Sequence, residues 1–406
     1  MNIKITNLSK ILLYLLPYSF IIGPFVSEIL ILICNFLVLY LILKNKDYFF
    51  FKKKLIVFLF SIYLLLVLSS LLSEHILFSL KSSLFYFRWI LLVISIHYIS
   101  HYEKNFLRLF ALHFFITFLI FFLDSHYQLF AGENILGYSA LKSYRMSSFF
   151  ADELILGGFI FKITPILLFC FFCYKQKLNN SRFFFIILAS CIFSTIIISG
   201  ERSAIILFLI YFIIFFAINF KRFKKEIFYV FLIFNIILGS IYIYSDHYKS
   251  RIFDNLYNQI FNKVLHYEKD KNKFKNFLLF SSVHEKHITS AYLMFKKGNL
   301  KSKLIGIGPK NFRNYCSIRK FCDYEDCCSS HPHNIPAQAL AETGLIGLFI
   351  LIYVYVMIII YLLKFIYMKI LDKKYNVNYI NILLILGIFM VIFPLSTSGS
   401  FFHNKF

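Results

Sequence analysis

Apolar runs near the length that crosses a bilayer recur along this whole chain. A helix rises about 1.5 Å per residue and the hydrocarbon core is about 30 Å thick, so roughly 20 apolar residues span it. Lipid offers no hydrogen bonds, so the backbone of each run must satisfy itself, and for separate runs of this length that means helix. Eleven such runs fall at about 10–24, 27–44, 55–73, 83–100, 107–123, 153–174, 183–199, 203–219, 227–245, 344–363 and 379–395. Of the 406 residues 59% are hydrophobic and mean hydropathy is +0.72, against roughly 45–50% apolar in soluble domains. The expectation is an all-α polytopic membrane protein of eleven or twelve transmembrane helices. It divides into a bundle over 1–245, a large loop over 246–340, and C-terminal helices with a tail over 341–406. No cleavable signal segment is expected, because the first run passes into the second across Gly23 and Pro24 without a small-residue cleavage site.

Orientation follows from the short loops. Lys44, Lys46 and Lys52 to Lys54 lie between runs two and three; Lys175, Lys177 and Arg182 between six and seven. Lys221, Arg222, Lys224 and Lys225 lie between eight and nine; Lys364, Lys369, Lys373 and Lys374 between ten and eleven. All four loops share one side if the N-terminus is cytoplasmic, as the positive-inside rule requires. The large loop and the C-terminus are then expected outside, which in a bacterial inner membrane is the periplasm.

The formal net charge is +23, and much of it is this topological lysine. The outer loop is basic as well, with 16 Lys/Arg against 8 Asp/Glu over 246–335, a balance that attracts phosphates or acidic sugars. Low-complexity lysine bias is the plain alternative. No nucleic-acid-binding module is present.

Cys34, Cys170, Cys173 and Cys191 lie in apolar runs, where cysteine acts as a small hydrophobe. Cys316, Cys322, Cys327 and Cys328 all lie in the outer loop, and four cysteines in an oxidising compartment suggest two disulfides. Three connectivities remain open. A zinc site with His331 or His333 is the alternative, although the paired ligand spacing is absent.

Ionisable residues collect at the outer ends of the runs. Arg145 precedes run six, followed by Asp152, Glu153, Gly157 and Gly158. A minimal turn, Ser199-Gly200-Glu201-Arg202-Ser203, joins runs seven and eight, so Arg202 cannot retreat far from the interface. A guanidinium recognises phosphate bidentately, and Arg145 and Arg202 are the leading candidates, with Arg88 third. Snorkelling, or pairing with Glu153 and Glu201, is the competing structural role. In the loop, residues 282–297 read as a helix, and the stretch from Leu304 through Gly306, Gly308 and Pro309 to Phe312 reads as a tight turn into a short helix. Gly306-x-Gly308 lacks the third glycine and βαβ context of a dinucleotide site.

His331-Pro332-His333-Asn334-Ile335-Pro336 stands where the loop meets run ten. Asn334 suits an N-cap and Pro336 a first helical turn. Asn334, Gln338 and Glu342 recur every four residues and share one helix face. A polar stripe entering a bilayer is costly unless it faces protein, water or a ligand. A solvated helix start with incidental histidines is the plain reading.

Several ordered segments together resemble the O-antigen ligase and polymerase superfamily of bacterial envelope glycosyltransferases. They are Arg145 with Phe150-x-Asp-Glu-(x)3-Gly-Gly158, Ser199-Gly-Glu-Arg-Ser203, Gly306-x-Gly-Pro-(x)2-Phe312, and His333-Asn-(x)3-Gln-(x)3-Glu-x-Gly-Leu-Ile-Gly347. Pro394 and Ser398 to Phe402 resemble the family's late segment. The resemblance implies a GT-C-like fold and transfer of a glycan from an undecaprenyl-diphosphate carrier to an acceptor, either lipid A-core or a growing glycan, without metal or other cofactor. It implies the catalytic histidine at His333; on chemical grounds Glu153 and Glu342 are lesser base candidates. It implies diphosphate-binding arginines at Arg145 and Arg202. Asn334, Gln338 and His331 would cap the helix or hold the acceptor. The family commonly has twelve spans, so the twelfth is expected to be missing here. Ligase, polymerase and protein O-oligosaccharyltransferase share these motifs; a lipid or glycan transporter is the reading of a different class.

Overall fold

The computed structural model describes residues 3–140, 145–178, 180–244, 246–254, 257, 282–322, 327–371, 379–396 and 399. Among them the chain is helical, with one isolated antiparallel bridge between Glu133 and Ser139. In order, the helices are α1 (Ile3–Ile22), α2 (Pro24–Asn45), α3 (Lys54–Leu71), α4 (Ile76–Ser83), α5 (Phe87–Tyr102), α6 (Phe106–Ala131), α7 (Leu156–Tyr174) and α8 (Ser181–Ile198). They continue with α9 (Arg202–Tyr244), α10 (Asp246–Lys249), α11 (Ser282–Lys296), α12 (Leu300–Ile305), α13 (Phe312–Tyr315), α14 (Ile335–Leu371) and α15 (Tyr379–Val391). Ten segments among the described residues are long and apolar enough to cross a membrane. The chain is a polytopic helical membrane protein.

Local chemistry sets the ends. Gly23, at φ 135°, and Pro24 separate α1 from α2, because proline at the first helical position gives up only an N–H that would be orphaned anyway. Lys46 closes α2 in the left-handed region and returns its N–H to the Ile42 and Leu43 carbonyls. Two differences from the expected spans are informative. The tenth run belongs to a helix that begins nine residues earlier, at Ile335, and breaks at Gly344. The eleventh is α15, whose 13 residues fall short of the ten full spans. Residues 258–281 and 323–326 of the expected loop, and Ser398 and 400–406 of the tail, lie outside the described residues.

The core is aromatic. Phe193 stacks on Phe234 with ring centroids 3.9 Å apart and on Phe208 at 5.6 Å, joining α8 to both halves of α9. Gly387 of α15 lies against the ring of Pro165 in α7, where a larger residue would collide. Close packing of this kind matters more in lipid than in water, since burial of apolar surface gives little drive there. α9 is two spans, Arg202–Phe220 and Phe223–Ile243, broken at Asn219 and Phe223; successive spans alternate in direction, so residues 72–75, 132–155 and 199–201 and the segment after α9 all emerge at one end of the bundle. The residues singled out above lie at that end.

Candidate active site

Two short segments lock together around Arg145. Its Nε donates to the Ser199 carbonyl (3.0 Å) and one terminal nitrogen to the Leu154 carbonyl (3.2 Å). The Met146 N–H donates to the Ile198 carbonyl (3.1 Å). The Arg145 strand is thereby laced to the α8–α9 turn, in which Gly200 (φ 66°) makes the reversal and Arg202 opens α9. From below, α6 fixes the same loop. Gln128 Oε1 accepts from the Ser147 and Ser148 N–H groups (3.0 and 2.8 Å), and Asp124 accepts from the Ile135 N–H (3.0 Å) and the Ser148 hydroxyl. Both side chains are fully buried, a position a carboxylate holds only with such partners.

Glu201 closes the joint. Its two oxygens accept the N–H groups of Gly157 (2.8 Å) and Gly158 (3.1 Å) in the first turn of α7. An anion at a helix N-terminus meets unpaired donors and the positive end of the helix dipole. A Cβ at Gly157 would strike the Ser199 hydroxyl, so glycine here is steric. Burial pushes the Glu201 carboxyl up, while Arg145 and the two amides pull it back. One turn further into α7, Lys162 is the sole exposed residue between Leu156 and Tyr174, and the Glu201 charge acts on it.

The second half of the site is built on a broken helix. At Gly344 (φ 66°, ψ −162°) α14 leaves helical geometry. The freed carbonyls of Ala341 and Glu342 accept the N–H groups of Ile307 and Gly308 (both 3.0 Å), and Ser69 of α3 reaches the Ile305 and Glu342 carbonyls (2.8 and 3.0 Å). The crossing is backbone on backbone: a Cβ at Gly306 would overlap the Glu342 carbonyl, and one at Gly344 the Leu304 carbonyl. The Glu342 side chain, fully buried, accepts from the Phe312 N–H (3.0 Å) and from Gln338 Nε2 (2.9 Å). It ties α13 to α14. Asn334 caps α14, its Oδ1 accepting the Ala337 N–H (3.1 Å), while its Nδ2 donates to the Pro394 carbonyl (2.8 Å) and draws in the segment after α15.

Just before that cap, His333 sits at φ 55° amid three more imidazoles. Its ring centroid lies 4.0 Å from His331, 5.1 Å from His284 and 5.3 Å from His287, the last nearly parallel at 28°. His284 and His287 come from the first turns of α11. Burial, then the charges of His287 and Arg202, push the His284 imidazole down from its ordinary value. His284 thus lies against His333 and feels the charge of the arginine turn. Among the described residues no group of three or more His, Cys, Asp or Glu is arranged to hold a metal ion.

A family model described as O-antigen ligase matches residues 183–352. Over those residues the chain is similar to the O-antigen ligase superfamily. No curated protein matches it. The matched stretch runs from α8 into α14 and takes in Arg202, the four histidines, Gln338 and Glu342. Arg145, Glu153 and Arg88 precede it. The match points to a glycosyltransferase-like activity of the O-antigen ligase or polymerase type.

The structure places the remaining candidates as follows. Arg88 is 4% exposed and paired with Glu28 (2.7 Å), with a further bond to the Phe85 carbonyl, so its guanidinium is already committed. Glu153 is exposed ahead of α7. Cys316 pairs with Cys328 and Cys322 with Cys327, at Cα–Cα distances of 4.9 and 5.7 Å. The sequence reading passed over Lys162, His284 and His287. The last two carried a signal, since a three-residue spacing in a helix puts both imidazoles on one face.

Proposed function

We propose that this protein transfers a glycan from an undecaprenyl-diphosphate carrier to lipid A-core on the periplasmic face of the inner membrane, as an O-antigen ligase. The observation that carries the reading is the sequence of neighbours Arg145, Ser199 to Arg202, His284 and His333 at one end of the bundle. In the reaction the acceptor hydroxyl oxygen bonds to the anomeric carbon as the bond from that carbon to the diphosphate breaks. The leaving lipid diphosphate keeps the electron pair, and Arg145 and Arg202 meet the developing charge, as does the N-terminus of α14. The hydroxyl proton passes to His333, whose ordinary pKa suits a base near neutrality. Guanidinium and helix-end charge serve in place of a metal ion in this scheme.

Glu342 is a weaker base candidate than His333, because two donors already occupy its oxygens. Polymerase and protein O-oligosaccharyltransferase activities use the same chemistry on other acceptors. A transporter would hold its polar groups near the midplane, whereas here they gather at one rim.

The test is transfer from a synthetic polyprenyl-diphosphate glycan by the purified full-length chain, with a chelator present. His333→Ala is expected to abolish transfer in a folded protein and His331→Ala to cost less. Near-normal transfer by His333→Ala would falsify the base assignment, and loss of wild-type activity on chelation would overturn the metal-free scheme. A deletion strain separates the acceptors: carrier-linked polymer with rough lipopolysaccharide indicates a ligase, and single-repeat glycans a polymerase.

A further inference from the structure

Four imidazoles and a guanidinium in one place need an explanation beyond a single catalytic base. His284 and His287 enter from α11, His331 and His333 from the segment before α14, and Arg202 from the start of α9. His284 is half-buried and lies 5.1 Å from His333 by ring centroid, while its partner on the helix, His287, is 5% exposed. The groups that bear on His284 are thus His287 on its own helix, with Glu285 and Lys286 following in sequence, His333 and His331 across from it, and Arg202 beside it.

We infer that His284 is a ligand of the donor diphosphate that joins the site by taking up a proton as the diphosphate binds. The inference rests on the diphosphate-binding role given above to Arg202. With no anion bound, an imidazolium at His284 would be partly desolvated beside further imidazoles and within the field of the Arg202 charge, so the neutral form is favoured. A diphosphate laid against Arg202 brings at least two negative charges to the same spot. It reverses that balance and raises the imidazole's affinity for a proton. By linkage, a ligand that raises a group's pKa binds more tightly wherever the group is neutral in the free protein and charged in the complex. The sign is fixed. The free-site value lies below the ordinary 6.5, so affinity climbs as pH falls from the bound-state value toward the free-site value, and levels off beyond. Departure of the lipid diphosphate after transfer would likewise release the proton.

The test uses the full-length chain in lipid nanodiscs and farnesyl diphosphate as the probe, titrated calorimetrically between about pH 8 and about pH 6 in buffers of different ionisation enthalpy. The probe itself titrates in this range, so the readout is the difference from His284→Gln. Wild type should gain affinity relative to His284→Gln by up to about tenfold per pH unit, with close to one additional proton taken up. His284→Arg, permanently charged, should bind tightly across the range and lose that extra pH dependence. Proton uptake by wild type no larger than the probe alone accounts for would overturn the inference, and this measurement needs no variant to fold. So would a His284→Gln protein that follows wild type at every pH. Arg202→Ala keeps the two readings apart. If it loses the probe while the His284 variants match wild type, only the present inference fails. If Arg202→Ala binds as wild type does, or if wild type binds no probe, the diphosphate site itself fails and this inference with it.

Discussion

Replacing Gly344 by alanine should undock the large loop from α14. At φ 66° and ψ −162° the residue occupies a region essentially restricted to glycine, and holding a side chain there costs about 1–3 kcal/mol. The new Cβ would also overlap the Leu304 carbonyl and the Gly306 nitrogen, and these are backbone atoms that cannot swing aside. Relief requires the two chains to separate, which breaks the bonds from Ile307 and Gly308 to the Ala341 and Glu342 carbonyls. Each buried group left unpaired costs about 1–3 kcal/mol. If one N–H is left unpaired along with the strain, the total is about 2–6 kcal/mol, a large part of the roughly 5–15 kcal/mol that holds a typical protein folded. Gly239→Ala in α9 is the control, because nothing lies within 4 Å of its added Cβ, and alanine is favoured over glycine in helices by about 1 kcal/mol. The assay is amide hydrogen exchange over residues 305–312 with the thermal midpoint in detergent. Gly344→Ala should deprotect that segment and lower the midpoint, while Gly239→Ala leaves both near wild type. Protection in Gly344→Ala equal to the control would refute the argument.

Alkaline phosphatase fused after residue 300 is expected to be active and after residue 370 inactive, given the lysine-rich loops; the reverse pattern sinks the orientation and the periplasmic site together. Non-reduced peptide mapping should recover Cys316–Cys328 and Cys322–Cys327 as two internal disulfides, their Cα separations of 4.9 and 5.7 Å being within bonding range; stoichiometric zinc with free thiols is the contrary result. Arg202→Lys should restore little of the transfer lost in Arg202→Ala, because the ammonium lacks the bidentate fork; full rescue would reduce Arg202 to a point charge.

The parts of the fold visible in sequence were those set by local rules. Apolar run length located the spans, Gly23-Pro24 the first boundary, and Asn334 with Pro336 the start of α14, where the cap is made as the residue types require. The loop helix expected at 282–297 is α11. What sequence could not supply was pairing between distant segments. Glu201 looked like a partner for an arginine, and Arg145 does act on its charge, but its oxygens also bind two glycine amides 43 and 44 residues earlier. Gly306 and Gly344 looked like separate turn residues and are the two sides of one crossing. Asp124 and Gln128 read as a polar end of a span and hold the Arg145 loop in place.

These pairings also decide what charge the site presents. Asp124, Glu201 and Glu342 each spend their oxygens on neighbouring N–H or O–H donors: Asp124 on the Ile135 amide and the Ser148 hydroxyl, Glu201 on Gly157 and Gly158, Glu342 on Phe312 and Gln338. Arg88 is likewise consumed by Glu28. Such donors fix where each carboxylate sits, while its charge still acts on cations nearby, as that of Glu201 does on Arg145 and Lys162. The rim gathers Arg202 and four imidazoles in a setting less polar than water, where charge attracts more strongly. A dianionic diphosphate meets that requirement, and a neutral sugar alone does not. The structural carboxylates are thus fixed by neighbouring donors, and the glycines at 157 and 158 that let Glu201 reach backbone amides are part of the same arrangement.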